Sequence, residues 1–151
     1  MATTVTTATL SVAIAETLTL NNTVYDQTAT KSISGIGNVF KRIFSVPAST
    51  SVTLATFIST VTNNQFDVED VKYIRVTNLD DTDALVLTKA FNSTSAATEL
   101  KAGCSVAYFT PNGNGATSKA AITTTDDIET LFVHNSHGGN VLDVEVFIAT
   151  A

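Results

Sequence analysis

Residues 142–148, "LDVEVFI", place Leu142, Val144, Val146 and Ile148 on one side of an extended chain and Asp143 and Glu145 on the other. A period of two residues is the repeat of a β-strand with one buried and one open face. The pattern recurs along the chain with turn residues between the runs, and helical periodicity is nearly absent. Leu10, Val12 and Ile14 share a face in "LSVAI", and Asn21-Asn22 reads as the turn between "LTL" and "TVYDQ". Gly35 and Gly37 in "ISGIGNVF" read as a loop or bulge. In "FKRIFSV", Phe40, Arg42, Phe44 and Val46 alternate with Val39, Lys41, Ile43 and Ser45, and Pro47 ends the strand. "SVTLATFI" sets Val52, Leu54 and Ile58 on one side, with Thr56 as a polar exception. "CSVAYF" and "TLFVHN" are further strands, and Gly138-Gly139 in "SHGGN" allow a tight turn with positive φ.

About nine or ten short strands joined by turns predict an all-β fold, a β-sandwich of jelly-roll type. Composition agrees. The 27 threonines suit a pleated, half-buried surface, and only 15% of residues are charged. A chain of 151 residues forms one ordinary domain, assigned here to residues 10–151. Residues 1–9, "MATTVTTAT", have no apolar stripe. They read as a frayed end or as an extended arm that adds to a neighbouring subunit.

Charge and cysteine usage narrow the function. The net charge of −6 and the scattered lysines and arginines give no basic stripe for nucleic acid. Lys41-Arg42 is the only adjacent basic pair. Neither a secretory signal nor a membrane span is expected, since no basic leader and no apolar run of roughly 18 residues occurs. Cys104 is the single cysteine, which precludes an intrachain disulfide and fits a reducing compartment.

Several groups of residues are candidates for chemistry. Asp80, Asp81 and Asp83 lie between two alternating runs in "YIRVTNLDDTDALVL". They lack the central glycine and distant glutamate of a calcium loop, so they read as the bend between paired strands, with Asp81 and Asp83 at most a weak cation site. Asp67, Glu69 and Asp70, and likewise Asp126, Asp127 and Glu129, read as local caps of short helical turns. His134 and His137 have no third ligand at metal spacing. Cys104, in an alternating strand, reads as packed, and no serine sits in a nucleophile elbow. "GIGNVFK" lacks the third glycine of a dinucleotide loop. Tyr25, Tyr73 and Tyr108 are dispersed and tryptophan is absent, which weakens a sugar-stacking platform. A paired-carboxylate glycosidase site would need two acidic groups to converge, and nothing in the spacing indicates it. No catalytic, cofactor-binding or metal residue is assigned, and no enzyme activity is expected.

The stretches "LNNTVYDQTATKSISGIGNVFKRIFSVPAS", "VKYIRVTNLDDTDALVL" and "ELKAGCSVAYF", with the ending "VEVFIATA", resemble small virion structural proteins of tailed bacteriophages, especially of marine and cyanobacterial hosts. The resemblance covers roughly residues 18–109 and rests on the strand ending in "VP", the strand "YIRVTNLDDT" and the "L-x-AG" step. It implies a component of the phage particle, made in the host cytoplasm, and most simply a capsid decoration or cement protein. Such a protein binds and bridges major capsid proteins and forms a homo-oligomer, a trimer or dimer. A tail, head–tail connector or fibre-base subunit is the alternative within the particle, and a carbohydrate-binding β-sandwich the alternative outside it.

Overall fold

The computed structural model describes residues 6–58, 61–62, 65–91, 94–109 and 128–151. Regular structure in these residues is entirely β: β1 (Ala8–Leu20), β2 (Thr23–Ile36), β3 (Asn38–Val46), β4 (Ser51–Ile58), β5 (Phe66–Asp67), β6 (Val71–Asn78), β7 (Leu85–Ala90), β8 (Ser95–Leu100), β9 (Ser105–Phe109), β10 (Thr130–His134) and β11 (Leu142–Thr150). They form a four-stranded sheet in the order β3-β11-β6-β9, a five-stranded sheet β5-β4-β10-β7-β8, and a separate two-stranded ribbon β1-β2. Set aside the ribbon and the two-residue β5, and number the remaining eight strands from β3. The first then pairs with the eighth, the second with the seventh, the third with the sixth and the fourth with the fifth. That nesting is the jelly-roll connectivity, which strand-by-strand reading of the sequence cannot supply.

The inward faces pack as the alternation requires. Leu142, Val144, Val146 and Ile148 of β11 are fully buried, with Ile74 and Val76 of β6 beside them and Leu85, Leu87, Leu131 and Val133 in the other sheet. β4 departs from simple alternation. Its register against β10 shifts between the pairs Leu131–Ala55 and Phe132–Thr53, so one extra residue is inserted. The bulge turns the strand over, and Leu54, Ala55 and Phe57 are buried while Ile58 is 38% exposed. The expectation that Val52, Leu54 and Ile58 share a face is corrected accordingly: Thr56 is no exception, because the inward phase has changed.

Residues 73–87 need a second correction. β6 and β7 are strands as expected, but they lie in opposite sheets and do not pair. The aspartates therefore sit at a corner between layers rather than in a hairpin. Local alternation marks the two strands and the bend, but carries no information about which sheet receives the second strand.

The ribbon is longer than the sequence reading allowed, with strands of 13 and 14 residues. Asn21 and Asn22, with φ of 50° and 62°, form its two-residue turn as expected, both in the left-handed region that asparagine tolerates. At its base Gly35 has φ of 74°, where the pairing steps from Leu10–Ile33 to Ala8–Ile36 and leaves two β2 residues facing one of β1. This is the bulge that the glycines of "ISGIGNVF" signalled. Of the proposed arm, Thr6 and Thr7 have no regular structure and Ala8 and Thr9 begin β1; residues 1–5 and the loop 110–119 lie outside the described residues. The 138–139 bend is present, but neither glycine takes positive φ there. Asn135 shapes it instead, its side chain accepting from His137 N and donating to Asn140 O.

Gly37 sits where two stretches of backbone come close together. Its backbone N–H donates to Thr150 O at 2.9 Å, and a Cβ at this position would lie 2.9 Å from the Ala151 carbonyl carbon. Backbone cannot yield as a flexible side chain would. Gly37→Ala is expected to cost about 1–3 kcal/mol, whereas Gly138→Ala, with nothing near its added carbon, should stay within about 0.5 kcal/mol. Denaturant unfolding of the two variants checks this; equal stabilities would show that the C-terminal strand moves aside freely.

Candidate functional site

The acidic corner is built from backbone. Asp80 Oδ1 accepts from Thr82 N at 2.9 Å, Thr82 Oγ1 at 3.0 Å and Asp83 N at 2.7 Å. These bonds, led by the one from Asp83, hold the Asp80 carboxyl below its ordinary value. Asp83 turns its oxygens elsewhere: Oδ2 accepts from Asn140 Nδ2 at 2.9 Å and Oδ1 lies 3.5 Å from His137 Nδ1. Asp81 is exposed to solvent. Asp81 and Asp83 are thus not presented as a ligand pair, and no group of three or more His, Cys, Asp or Glu side chains arranged for a metal occurs among the described residues.

Under this corner lie two fully buried asparagines that sequence reasoning passed over. Asn78 Nδ2 donates to Asp83 O and Leu100 O, at 2.8 and 3.0 Å, while its Oδ1 accepts from Asp80 N. Asn135 Nδ2 donates to Val46 O and Asn140 O, at 3.0 and 2.8 Å. Each amide satisfies carbonyls that would otherwise be buried without partners where the chain crosses between sheets. The signal for them was faint: Asn78 and Asn135 each end an alternating strand on its inward phase.

The other candidates are dispersed. Asp67 caps a turn, its Oδ1 accepting from Glu69 N at 3.0 Å, with no helix following. Asp126 and Asp127 lie outside the described residues; Glu129 joins the backbone ladder, donating to Ala90 O and accepting from Phe57 N. Cys104 precedes β9 rather than lying in it, and it is exposed rather than packed. Its backbone explains this, since Cys104 N donates to Lys101 O and Cys104 O accepts from Asn78 N in the turn before the strand. Tyr73 and Tyr108 are pushed to higher pKa by burial, Tyr108 with Lys89 Nζ 4.7 Å from its ring centre, and Tyr25 is exposed near the ribbon tip.

His134 has a partner the sequence did not indicate. Its Nδ1 lies 3.0 Å from Ser51 Oγ, on the outer face of the five-stranded sheet. A serine–histidine contact invites comparison with a nucleophile and its base, but that chemistry also needs a third group to orient the imidazole. Across the sheet the same row continues to Val86 and then Glu99, two strand spacings or roughly 10 Å from the histidine. The contact is a cross-strand pair on an open surface.

Two surfaces remain. Between the edges of β3, β4 and β5, Phe40, Arg42, Phe44, Thr53, Gln65 and Phe66 line a groove of about 450 Å³. Arg42 lies 5.0 Å over the Phe44 ring, and Phe40 meets Phe66 edge-on at 5.3 Å. The larger feature is the ribbon. At its base Leu10, Val12 and Ile33 pack on Ile36, Tyr73 and Ala149 at the outer face of the four-stranded sheet. Beyond that seat Ile14, Leu18, Leu20, Val24 and Tyr25 are each 55–59% exposed. Ile14, Leu18, Leu20 and Tyr25 share one face and Val24 lies on the other. An isolated two-stranded ribbon is marginal in water, and exposed apolar side chains grouped on one face of it mark an interaction surface.

On that outer face Glu145 binds both Lys41, at 3.0 Å, and Arg75. The Lys41 hydrogen bond and that from Arg75 hold its carboxyl below the ordinary value against the opposing effect of burial. Depressed carboxyls stabilise the fold above their unfolded-state pKa and lose that contribution as pH falls through the folded one. Asp80→Ala is therefore expected to lower the melting midpoint at neutral pH, and the gap from the parent should close below about pH 4. A gap that stays constant down to strong acid would show that the Asp80 charge has no part in holding the corner.

Among the described residues no helix is long and apolar enough to cross a membrane. No protein-family model matches the chain, and no curated protein or solved structure is significantly similar to it.

Proposed function

We propose that this protein is a non-enzymatic structural component of a tailed-phage particle, acting as a decoration or cement protein on the head. The observation that carries the reading is the ribbon, which extends an apolar face beyond the sandwich where nothing among the described residues covers it. The jelly roll supplies a rigid base, and its surface is rich in hydroxyls and low in charge, so burial against neighbours desolvates few ions. The resemblance noted in the sequence points to the same class of protein. On this reading the domain spans adjacent major capsid proteins and resists shell expansion by adding apolar contact across their boundary. A tail or connector subunit would use the same adhesive chemistry at lower copy number.

Localisation in a particle reconstruction tests the proposal. Several hundred copies on the head surface are expected; six or twelve copies at the tail vertex would favour the connector alternative, and absence from the particle would sink both. A second reading has its own observation. The groove with Phe40, Phe44 and Phe66 beside Arg42, Thr53 and Gln65 combines apolar rings with hydrogen-bonding groups, as a carbohydrate-binding module requires. Binding to a glycan array that is lost in Phe44→Ala would favour that reading.

A further inference from the structure

The exposed face of the ribbon has an order that bears on what covers it. Strand pairing puts these pairs on one face, from base to tip: Val12–Lys31, Ile14–Ala29, Glu16–Gln27, Leu18–Tyr25 and Leu20–Thr23. The opposite face holds mainly small or polar residues such as Ala13, Ala15, Thr17 and Thr28, with Val24 near the tip as its large apolar side chain. Where the ribbon leaves the sandwich, an apolar cleft of about 330 Å³ has Val12, Ile14, Ala29, Lys31 and Phe109 among its lining. The polar pair Glu16–Gln27 thus lies midway, flanked by the apolar pairs Ile14–Ala29 and Leu18–Tyr25, with the mixed pairs Val12–Lys31 and Leu20–Thr23 outside them.

We propose that two copies of this chain associate through this face, ribbon on ribbon and antiparallel, about a two-fold axis at Glu16–Gln27. An axis lying between the ribbons and running across the strands sets β1 on β1 and β2 on β2. Leu18 of each copy then covers Ile14 of the other, and Leu20 enters the cleft beside Val12, whose other side is seated on its own sandwich. On the second strand Tyr25 lies over Ala29 and Thr23 over Lys31, so the largest ring meets the smallest side chain and a hydroxyl meets an ammonium. Each tip, ~27 Å from the base at 3.4 Å per residue, reaches the cleft of the other copy.

The polar centre selects a second copy over other occupants. On a lipid surface or a uniformly apolar partner, Glu16 and Gln27 would be buried without matching groups. On the two-fold they meet themselves, and each Gln27 amide can donate to the opposite Glu16 carboxylate. Glu16 and Lys31 also leave the face formally neutral on a chain of net charge −6, which limits repulsion between identical copies. The large side chains expose on the order of 500 Å² of apolar surface per copy, and the intervening polar residues bring the contact towards the roughly 800 Å² per partner of a specific interface.

This pairing makes specific the homo-oligomer that the resemblance implies. It takes up the apolar face of the ribbon and leaves the sandwich surface to meet the major capsid proteins of the proposed function, and it is tested without a phage particle. Sedimentation of the purified full-length chain should show a concentration-dependent dimer. Leu18→Thr with Tyr25→Thr, both compatible with strand geometry, should weaken it by roughly ten-fold or more. Gln27→Leu should also weaken it, because it removes the donor that meets the opposite Glu16 carboxylate, and Thr17→Lys on the opposite face should leave it unchanged. A chain monomeric across the micromolar range, a dimer indifferent to the Leu18/Tyr25 changes or to Gln27→Leu, or equal weakening by Thr17→Lys would each overturn the proposal. A monomer that still decorates heads overturns the pairing alone, whereas a dimer absent from particles overturns the shell role alone.

Discussion

β11 is the element on which the rest of the structure is registered. It lies between β3 and β6, and its four inward side chains are completely buried. At about 1.5–3 kcal/mol for each fully buried aliphatic side chain, they contribute roughly 6–12 kcal/mol before entropy is subtracted. That matches the whole net stability of an ordinary domain, about 5–15 kcal/mol. The ion group on the opposite face works on a smaller scale, since Lys41 is 58% exposed and such pairs contribute about 1 kcal/mol or less. Its role is geometric. Glu145 ties β11 to β3 through Lys41 and to β6 through Arg75, and a slip of one residue would move these charges into the core.

That outer face also explains why the ribbon sits where it does. Ala149 is fully buried although it points away from the sandwich core, because Leu10, Val12, Ile33 and Ile36 cover that end of the sheet. Tyr73 lies beside it on β6 and packs against Phe109 and Phe147. The four-stranded sheet is therefore apolar on both sides at one end and charged at its centre. The ribbon is seated by the first part and stops short of the second.

How much of this was legible in the sequence depended on whether the determinant was local. Strand identity was, because alternation and turn residues are read over a few positions; "LDVEVFI" and Asn21-Asn22 are both found as expected. The β4 bulge was not, since an inserted residue shows only against the partner strand. The full length of the ribbon was obscured because Glu16, Gln27 and Lys31 interrupt the apolar face, breaking each strand into shorter apparent runs. β8, "SAATEL", lacks large residues and shows its inward phase chiefly at Leu100. Among the candidate site residues, the aspartates were visible because they are charged, while Asn78 and Asn135, which hold the corners, were not.

That contrast bears on how the surface can be used. A jelly roll must carry chain from one sheet to the other repeatedly, and each crossing leaves backbone carbonyls and N–H groups that helices or hairpins would have paired within themselves. Here two neutral amides and an Asx turn satisfy them, so the corner that looked most reactive is committed to structure. The ribbon has the opposite character. Its pairing satisfies the facing halves of its backbone, but both outer edges and one apolar face are left without cover among the described residues. Exposed apolar strands invite indiscriminate association unless polar groups interrupt them. Glu16 and Gln27 supply that interruption at the centre of the face, favouring an occupant that can place matching polar groups there. The fold thus commits the polar groups of its corners to structure and leaves the apolar face of the ribbon open among the described residues.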